Sequence, residues 1–462
     1  VSPAKKTNKK KGPHNIRQLT KTIRIGFRKS ETLQRIVKNL KQSQHADLSK
    51  LQNEVKKISS EQGIQAAYNY LLQAEVMLDI RKPRIAIYDH AFHFIGGAQK
   101  YGLSLISVLQ DEFDITIIAN KEVNLRDFFR WYNLDLSKCR IKILKLPFYE
   151  KRNVEHLDPA CISKETGNPF HLISRESGNY DIFINNSMNE MVYPLSNISI
   201  LICHFPERRP KTFFYADYYT SVIYNSRYTE EWIRRKWKFS PHQHIYPPVD
   251  MEIAEENSLK EKIILSVARF EPEGTKRQLE MIEAFLNLKK AYPKIMKEWR
   301  FILAGGSNPN NPYLSRLKRI MAKNPDTDIE LKINAAGQEI KSLYRDSVLF
   351  WHLCGLTHND PAEIEHFGMT IVEAMQNRMV PIVFDGGGPR EIVDNGKNGF
   401  RVKSKAELMD YSLLLFTDET FFKRLAENAQ KKSRIFSRKI FEKKVRSYFD
   451  EILKMYLLPG AN

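Results

Sequence analysis

Short apolar runs punctuate the chain, and most are followed by apolar residues spaced three or four apart. The first is RIAIYDH (84–90), then the turn Gly96-Gly97, an apolar helical stretch at 101–110 and the run DITIIA (114–119). Strand, glycine turn, helix and strand make a βαβ unit. Residues 121–180 alternate less clearly, and the polar stretch 150–178 reads as an insertion or acceptor loop. DIFINNS (181–187), ISILICHF (198–205) and the opening of SVIYNSRYTEEWIRRKWKF (221–239) resume the strand pattern. A second series begins at KIILSVARF (262–270) and continues through the helix QLEMIEAFLNLKKA, the strands RFILAGG (300–306) and DIELKI, and a helix at 338–346. Helices at 405–415 and 419–435 and a long amphipathic helix at 436–456 follow. Two alternating series predict two α/β, Rossmann-like domains facing a cleft, at 83–250 and 251–435, with 436–462 as a final helix and a hinge near 246–260.

Ahead of these lies an extension, 1–82. Leu33, Val37 and Leu40, then Leu48, Leu51, Val55 and Ile58, recur at helical spacing. They predict a helix that docks on the body, links to it, or forms a short coiled coil. Residues 64–79 read as another helix, ended by Pro83.

The chemistry concentrates in PAEIEHFGMTIVEAMQNRMVPIVFDGGGPREIVDNGKNGFR (361–401). Its pattern is loop, helix (Met369 to Gln376), strand (Val380 to Phe384), glycine loop and helix start. Loops at the carboxyl ends of parallel strands are where open α/β sheets bind ligands. The helix start at Gly368, Met369 and Thr370 offers backbone N–H groups and the positive dipole end, which suit a phosphate. Glu365 and Glu373 flank that start and could hold sugar hydroxyls; equally, both could be solvated surface acids.

Glu365 and Glu373, with His366-Phe367-Gly368 between them and the Gly-Gly-Pro loop after, closely resemble the retaining GT-B glycosyltransferases of family 4. The preceding LYRDSVLFWHLCGLTHND agrees with that resemblance, which extends over 84–456. It implies a metal-independent enzyme that moves a hexose from a UDP- or GDP-sugar to a glycan or lipid-linked hydroxyl, with no cofactor. The last helix would cross back to the first domain. Glu373 would take the ribose hydroxyls, with Phe367, Gly368, Met369, Thr370 and the Gly305-Gly306 turn completing the donor site. Glu365 would meet the donor sugar, and His204, at a strand end, would hold a sugar hydroxyl. Arg269 and Lys276 would hold the diphosphate. Their spacing of seven exceeds the family's usual one, which leaves Arg277 as an alternative to Lys276. Gly96, Gly97 and Lys100 would form the acceptor and diphosphate loop. Asp326-Thr327-Asp328 mimics a metal-binding motif but lies in a polar turn away from the glycine loops. Arg378 stands where the family often has Gly. The alternative to an enzyme is a non-catalytic sugar- or partner-binding protein of this fold; intact Glu365, Glu373, Arg269, Lys276 and His204 argue against it.

Charge adds one feature. The chain carries a net +19, and residues 1–82 hold 18 Lys/Arg against 6 Asp/Glu. Residues 1–30 contain no acid and predict a disordered basic arm suited to an anionic membrane surface or nucleic acid, or acting as a solubilising linker. No aromatic interleaving or recognition motif supports specific nucleic-acid binding. The Trp232/Trp237 helix, rich in Arg and Lys, reads as interfacial or as core with exposed cations. Cys139, Cys161, Cys203 and Cys354 are isolated, with no CxxC pair, which argues against zinc and a disulfide framework and reads as a reducing compartment. With no signal peptide and no apolar run of the roughly 18–20 residues that span a bilayer, a cytoplasmic protein, peripheral at the inner membrane face, is expected.

Overall fold

The computed structural model describes residues 36, 38–40, 42, 48–146, 167–187, 190–206, 213–251 and 260–457. The basic arm 1–30, Cys161 and most of the hinge region lie outside them. Contacts divide the chain into two compact units: 1–202 with 209–222 and 445–462, and 203–208 with 223–444.

The first unit opens with α1 (Leu48–Glu61) and α2 (Ile64–Met77), separated by Gly63 at φ 93°. Val55 from α1 and Ala67, Tyr68, Leu71 and Leu72 from α2 close a small apolar core with Ile36 and Leu40. α1 therefore packs on α2, and it is α2 that meets the rest of the unit. Gln65 and Asn69 donate to the Leu195 carbonyl at 3.3 and 3.1 Å. Behind α2, Arg81 donates from Nη2 to Asp181 Oδ1 at 2.9 Å and from Nε to Glu75 Oε2 at 2.7 Å. Asp181 also accepts the Arg84 N–H at 2.7 Å and the Tyr456 hydroxyl at 2.9 Å. One buried carboxylate therefore fastens the segment after α2, the start of the sheet and the end of the last helix.

The first sheet takes its strands from β1 (Arg84–Tyr88), β2 (Asp114–Ala119), β3 (Arg140–Ile143), β4 (Ile182–Asn185), β5 (Ile198–Cys203), β6 (Ser221–Tyr224) and β7 (Gln243–His244), in the order β3-β2-β1-β4-β5-β6-β7. β1, β4 and β5 are buried at every position, as continuous apolar runs in parallel sheets require. Helices α3 (Gly97–Leu109), α4 (Leu125–Tyr132) and α5 (His171–Ser177) belong to this unit. α5 falls inside the 150–178 stretch read as a loop; its buried Ile173, Ser174 and Ser177 recur at i, i+1 and i+4, a pattern too short to stand out among polar residues.

α6 (Arg227–Trp237) belongs to the second unit. Trp237 is buried, and Trp232 is half-buried beside Phe205 and Tyr228, with Arg235 and Lys236 over its ring. The core alternative for this helix is the observed one; neither Trp is presented as a membrane anchor.

The second sheet is built from β8 (Ile263–Val267), β9 (Arg300–Gly305), β10 (Ile329–Ile333), β11 (Leu349–His352), β12 (Val380–Phe384) and β13 (Phe400–Val402), ordered β10-β9-β8-β11-β12-β13. Its pairings are parallel. The helices are α7 (Gln278–Ala291), α8 (Pro312–Ala322), α9 (Gly337–Asp346), α10 (Met369–Gln376), the short α11 (Pro389–Ile392), α12 (Lys405–Thr417) and α13 (Glu419–Ser433). α14 (Arg438–Leu457) ends the described chain, and its part from Val445 onward groups with the first unit. β8 lies between β9 and β11, so the order of connection reverses there. The loops after β8 and β11 diverge from that switch point and leave a crevice at the strand ends.

Candidate active site

The loop after β8 ends in a left-handed residue, Arg277 at φ 59°, which caps α7. Arg277 turns to Glu280 at 2.9 Å, while Lys276 reaches across the switch point. Its Nζ lies 2.9 Å from Glu365 Oε2 and 3.5 Å from Cys354 Sγ. Lys276 rather than Arg277 therefore occupies the crevice. His352, at the carboxyl end of β11 and 3% exposed, places Nε2 3.3 Å from the same Glu365 oxygen.

Burial alone would push the Glu365 carboxyl up; Lys276 and His352 outweigh it and hold the group well below the usual carboxylate range. Burial likewise opposes the Lys276 charge, but Glu365 and the neighbouring Cys354 and Glu271 overcome it and raise the ammonium above its ordinary value. The Cys354 thiol is pushed up to about 12 by burial and stays protonated. The crevice thus holds an ion pair with a fixed cation.

The loop Glu365-His366-Phe367-Gly368 is gripped from beneath. A Cβ on Gly387 would strike the Glu365 carbonyl oxygen, and one on Gly388 the Phe367 backbone. Gly388 N–H donates to the Glu365 carbonyl at 2.9 Å. The three-glycine loop after β12 thus lets two backbones meet without side chains between them. From above, Ser226 Oγ donates to the His366 carbonyl at 2.7 Å. The His366 ring stacks on Phe205 with centroids 4.1 Å apart and planes 5° from parallel, and Lys236 Nζ lies 4.8 Å from the Phe205 centroid.

His204 sits just past β5 and is buried; Thr229 Oγ1 donates to its carbonyl at 2.9 Å. Burial, and then His366, lowers the His204 pKa to about 3; burial lowers that of His366 to about 4. Both imidazoles are neutral at pH 7 and can donate from one nitrogen and accept at the other.

Gly368 caps α10 at φ 108°, a conformation that favours glycine. Ile371 N–H donates to the Gly368 carbonyl at 3.1 Å, and the N–H groups ahead of it at the helix start lie beyond the reach of any intrahelical acceptor. Met369 and Thr370 form that turn. Glu373 lies one turn on and accepts the Tyr344 hydroxyl at 2.9 Å; burial, then Glu373, raises the Tyr344 pKa, so this hydroxyl remains a donor.

Other expected residues have different surroundings. Phe367 is 3% exposed and packs with Tyr246 and Phe436, so its ring anchors the loop. Arg269 has 67% of its side chain exposed and pairs with Glu271 at 2.9 Å, not with the Glu365 group. Gly305 is where β9 passes the Ala268 backbone too closely for any Cβ, and the Gly306 carbonyl accepts the Phe270 N–H at 2.9 Å. Asp328 turns its carboxylate to Lys289 at 2.8 Å.

In the first unit, Gly96 caps α3 and its N–H donates to the Tyr132 hydroxyl at 2.9 Å. Gly97 opens the helix, and the Lys100 N–H donates to the Gly96 carbonyl at 3.0 Å. Asp89, at the end of β1, ties this loop down. It accepts from Ala91 N–H (2.8 Å), Gln99 (3.1 Å) and Asn186 (2.6 Å), and burial raises its pKa to about 6. His352, Cys354, Tyr344 and Asp89 were not singled out as site residues from the sequence. The available signal was position: His352 and Asp89 lie at or just beyond the carboxyl ends of strands flanking a switch point.

A parallel six-stranded sheet brings a cation, a carboxylate and a helix start together at its switch point, the place where open α/β sheets bind ligands. Residues 250–432 match the family model described as Glycosyl transferases group 1. The match lies within the second half of the chain, which is thus similar to group 1 glycosyltransferases there, and the fold is GT-B.

Among solved structures it resembles Anabaena HepE, crystallised with UDP and glucose: TM-score 0.61, 16% identity, 80% of this chain and 100% of that one. Sucrose-phosphate synthase from Thermosynechococcus elongatus matches with TM-score 0.59, 15% identity, and coverage of 81% and 100%. These show the fold. Among curated relatives, the GDP-Man:Man(3)GlcNAc(2)-PP-Dol alpha-1,2-mannosyltransferase of Xenopus tropicalis is 29% identical over 48% of this chain and 46% of that protein. The Schizosaccharomyces pombe alpha-1,3/1,6-mannosyltransferase alg2 is 24% identical over 39% and 40%. The chain spans about half the length of the curated relatives it matches, or less.

Proposed function

We propose that this protein is a retaining, metal-independent hexosyltransferase that uses a nucleotide-sugar donor and a lipid-linked oligosaccharide acceptor. The observation that carries the reading is the Lys276–Glu365 pair at 2.9 Å, set beside the α10 start. A mannosyl donor carried on GDP is favoured because the named relatives are mannosyltransferases, the first a GDP-Man enzyme acting on a dolichol-diphosphate glycan.

In this reading Lys276 and the first-turn N–H groups of α10 receive the diphosphate. Glu373 takes the ribose hydroxyls, and neutral His204 and His366 hold sugar hydroxyls. The bond from sugar C1 to the diphosphate oxygen breaks, and its electron pair stays on the diphosphate. The acceptor oxygen bonds to C1 from the same face, and its proton passes to a diphosphate oxygen. Fixed positive groups act where charge develops, which is the largest lever available to such a site. Gly96, Gly97 and Lys100 serve the acceptor and diphosphate side. The basic arm 1–30 meets anionic lipid, so the protein works at a cytoplasmic membrane face.

The test is thermal stabilisation by UDP-, GDP- and ADP-sugars in EDTA, with Lys276→Met and Glu373→Ala alongside. A donor at 100 times its dissociation constant adds about 2.7 kcal/mol. GDP-mannose should shift the wild-type protein and neither variant. An unresponsive wild type, or equal shifts in all three, overturns the assignment. Proton NMR of the glycosylated product reads the anomeric outcome; inversion would remove the retaining mechanism.

A further inference from the structure

Exposed large apolar side chains gather at one place in the first unit. Ile95 is 58% exposed, Phe129 57% and Phe94 37%. Phe94 and Ile95 belong to the loop after β1, and Phe129 to α4. The two pieces are fastened together: the Tyr132 hydroxyl accepts the Gly96 N–H and donates to the Phe94 carbonyl at 3.3 Å, and Phe92 packs edge-on against Phe128 at 5.9 Å. Phe129 lies one helical turn before Tyr132 and so shares its side of the helix.

The sequence of α4, LRDFFRWY, explains the exposure. Phe128 is the residue it buries, and Phe129, Arg126 and Arg130 are left outside. Arg130 bonds Asp127 at 3.0 Å; Arg126 has no ion-pair partner among the described residues. Beside the first turn lies an open hollow of about 600 Å³ lined by Asn124, Leu125, Arg126 and Ile141. Phe129, Arg126 three residues before it and the hollow that Arg126 lines share one side of α4, and Arg130 flanks that side one turn beyond Arg126.

We propose that this surface docks the protein on an anionic lipid bilayer. Phe94, Ile95 and Phe129 would enter the acyl boundary, and Arg126 and Arg130 would meet the phosphate layer with Arg126 at a headgroup hollow. The chain's charge of +19 favours an anionic surface over contact with another copy, which would repel it. The inference deepens the lipid-linked acceptor reading by naming the face that meets the membrane, but it does not depend on the donor chemistry.

The test is co-sedimentation of the full chain with phosphatidylcholine vesicles, with and without phosphatidylserine. Phe129→Ser should weaken partitioning about ten-fold, equivalent to about 1.4 kcal/mol. Arg126→Gln with Arg130→Gln should remove most of the gain from phosphatidylserine. Tyr218→Ser, at a site 60% exposed elsewhere in the unit, should change nothing; it controls for loss of any surface aromatic. The basic arm is present in every variant, so differences belong to this face. Wild-type binding by Phe129→Ser overturns the proposal, as does a wild type that ignores both vesicles. Self-association lost in Phe129→Ser, without vesicle binding, reassigns the face to a second copy. GDP-mannose stabilisation separates this reading from the catalytic one: Phe129→Ser should keep it, and its absence in the wild type sinks the catalytic reading alone.

Discussion

Replacing Lys276 by Met tests the central contact of the second unit. Lys276 and Glu365 have 18% and 20% of their side chains exposed, so water screens the pair only in part. Removing one member of a buried pair costs about 3–5 kcal/mol, and the partial exposure reduces this to about 2–3 kcal/mol at pH 8. The cost should depend on pH. Glu365 is depressed below its ordinary 4.5, so its contribution is complete above that value and is lost as the pH falls through the folded value. Lys276 is raised above its ordinary 10.5, so its contribution is complete below that value and is lost as the pH rises through the folded value. From about pH 5 to 10 the wild type holds both. In Lys276→Met, Glu365 keeps His352 at 3.3 Å but loses its cation, and burial pushes the carboxyl up.

The variant therefore protonates Glu365 on mild acidification, and its deficit should fall below about 1 kcal/mol near pH 4.5. Urea unfolding followed by tryptophan fluorescence measures this, because Trp232, Trp237, Trp299 and Trp351 all lie in the second unit and Trp131 alone in the first. Glu365→Gln and the double variant complete a cycle with an expected coupling of about 2 kcal/mol. A deficit equal at pH 4.5 and pH 8, or a coupling under about 0.5 kcal/mol, would refute the argument that the pair is electrostatically strong.

Three further outcomes are expected. Gly387→Ala should cost more than about 2 kcal/mol and abolish nucleotide-sugar stabilisation, because its Cβ meets the Glu365 carbonyl at φ 62°; unfolding and thermal-shift measurements read both. Arg378→Gly should stabilise the second unit by about 0.5–1 kcal/mol, since Arg378 holds φ 57° at the end of α10 and donates to Met375, while Met379 donates to Ala374. Arg81→Met should destabilise the first unit by about 3–5 kcal/mol, because it strips the cation from Asp181 and Glu75; hydrogen exchange over β1, β4 and α14 would detect it.

The sequence and the structure agree where periodicity is local. The helix at Met369–Gln376 and the strand at Val380–Phe384 match the apolar pattern residue for residue, and β1, β4, β5 and β8 lie inside the runs read as strands. Disagreement begins where a residue's role depends on a distant neighbour. The helical stripe of Trp232 and Trp237 looks the same whether it faces lipid or Phe205. Arg378 stands where the family often has Gly, and the structure supplies the reason: it occupies a left-handed position that makes Gly usual there. The choice between Lys276 and Arg277 could not be made by counting, because a single left-handed residue, Arg277, turns the two side chains apart.

Sheet order accounts for the rest. Lys276 and Glu365 are 89 residues apart in the chain, and they meet because β8 lies between β9 and β11, which puts the loops after β8 and β11 side by side. His352 joins them because it ends β11. The same logic holds in the first unit, where Asp89 after β1 and Asn186 after β4 bond at 2.6 Å across adjacent strands. Strand order is fixed by which apolar faces the crossover helices cover, a property of the assembled layers that no single stretch encodes. In each unit the crossovers reverse at one central strand, β1 or β8. A polar residue in the sequence just after such a strand is a better site candidate than its local motif alone would suggest.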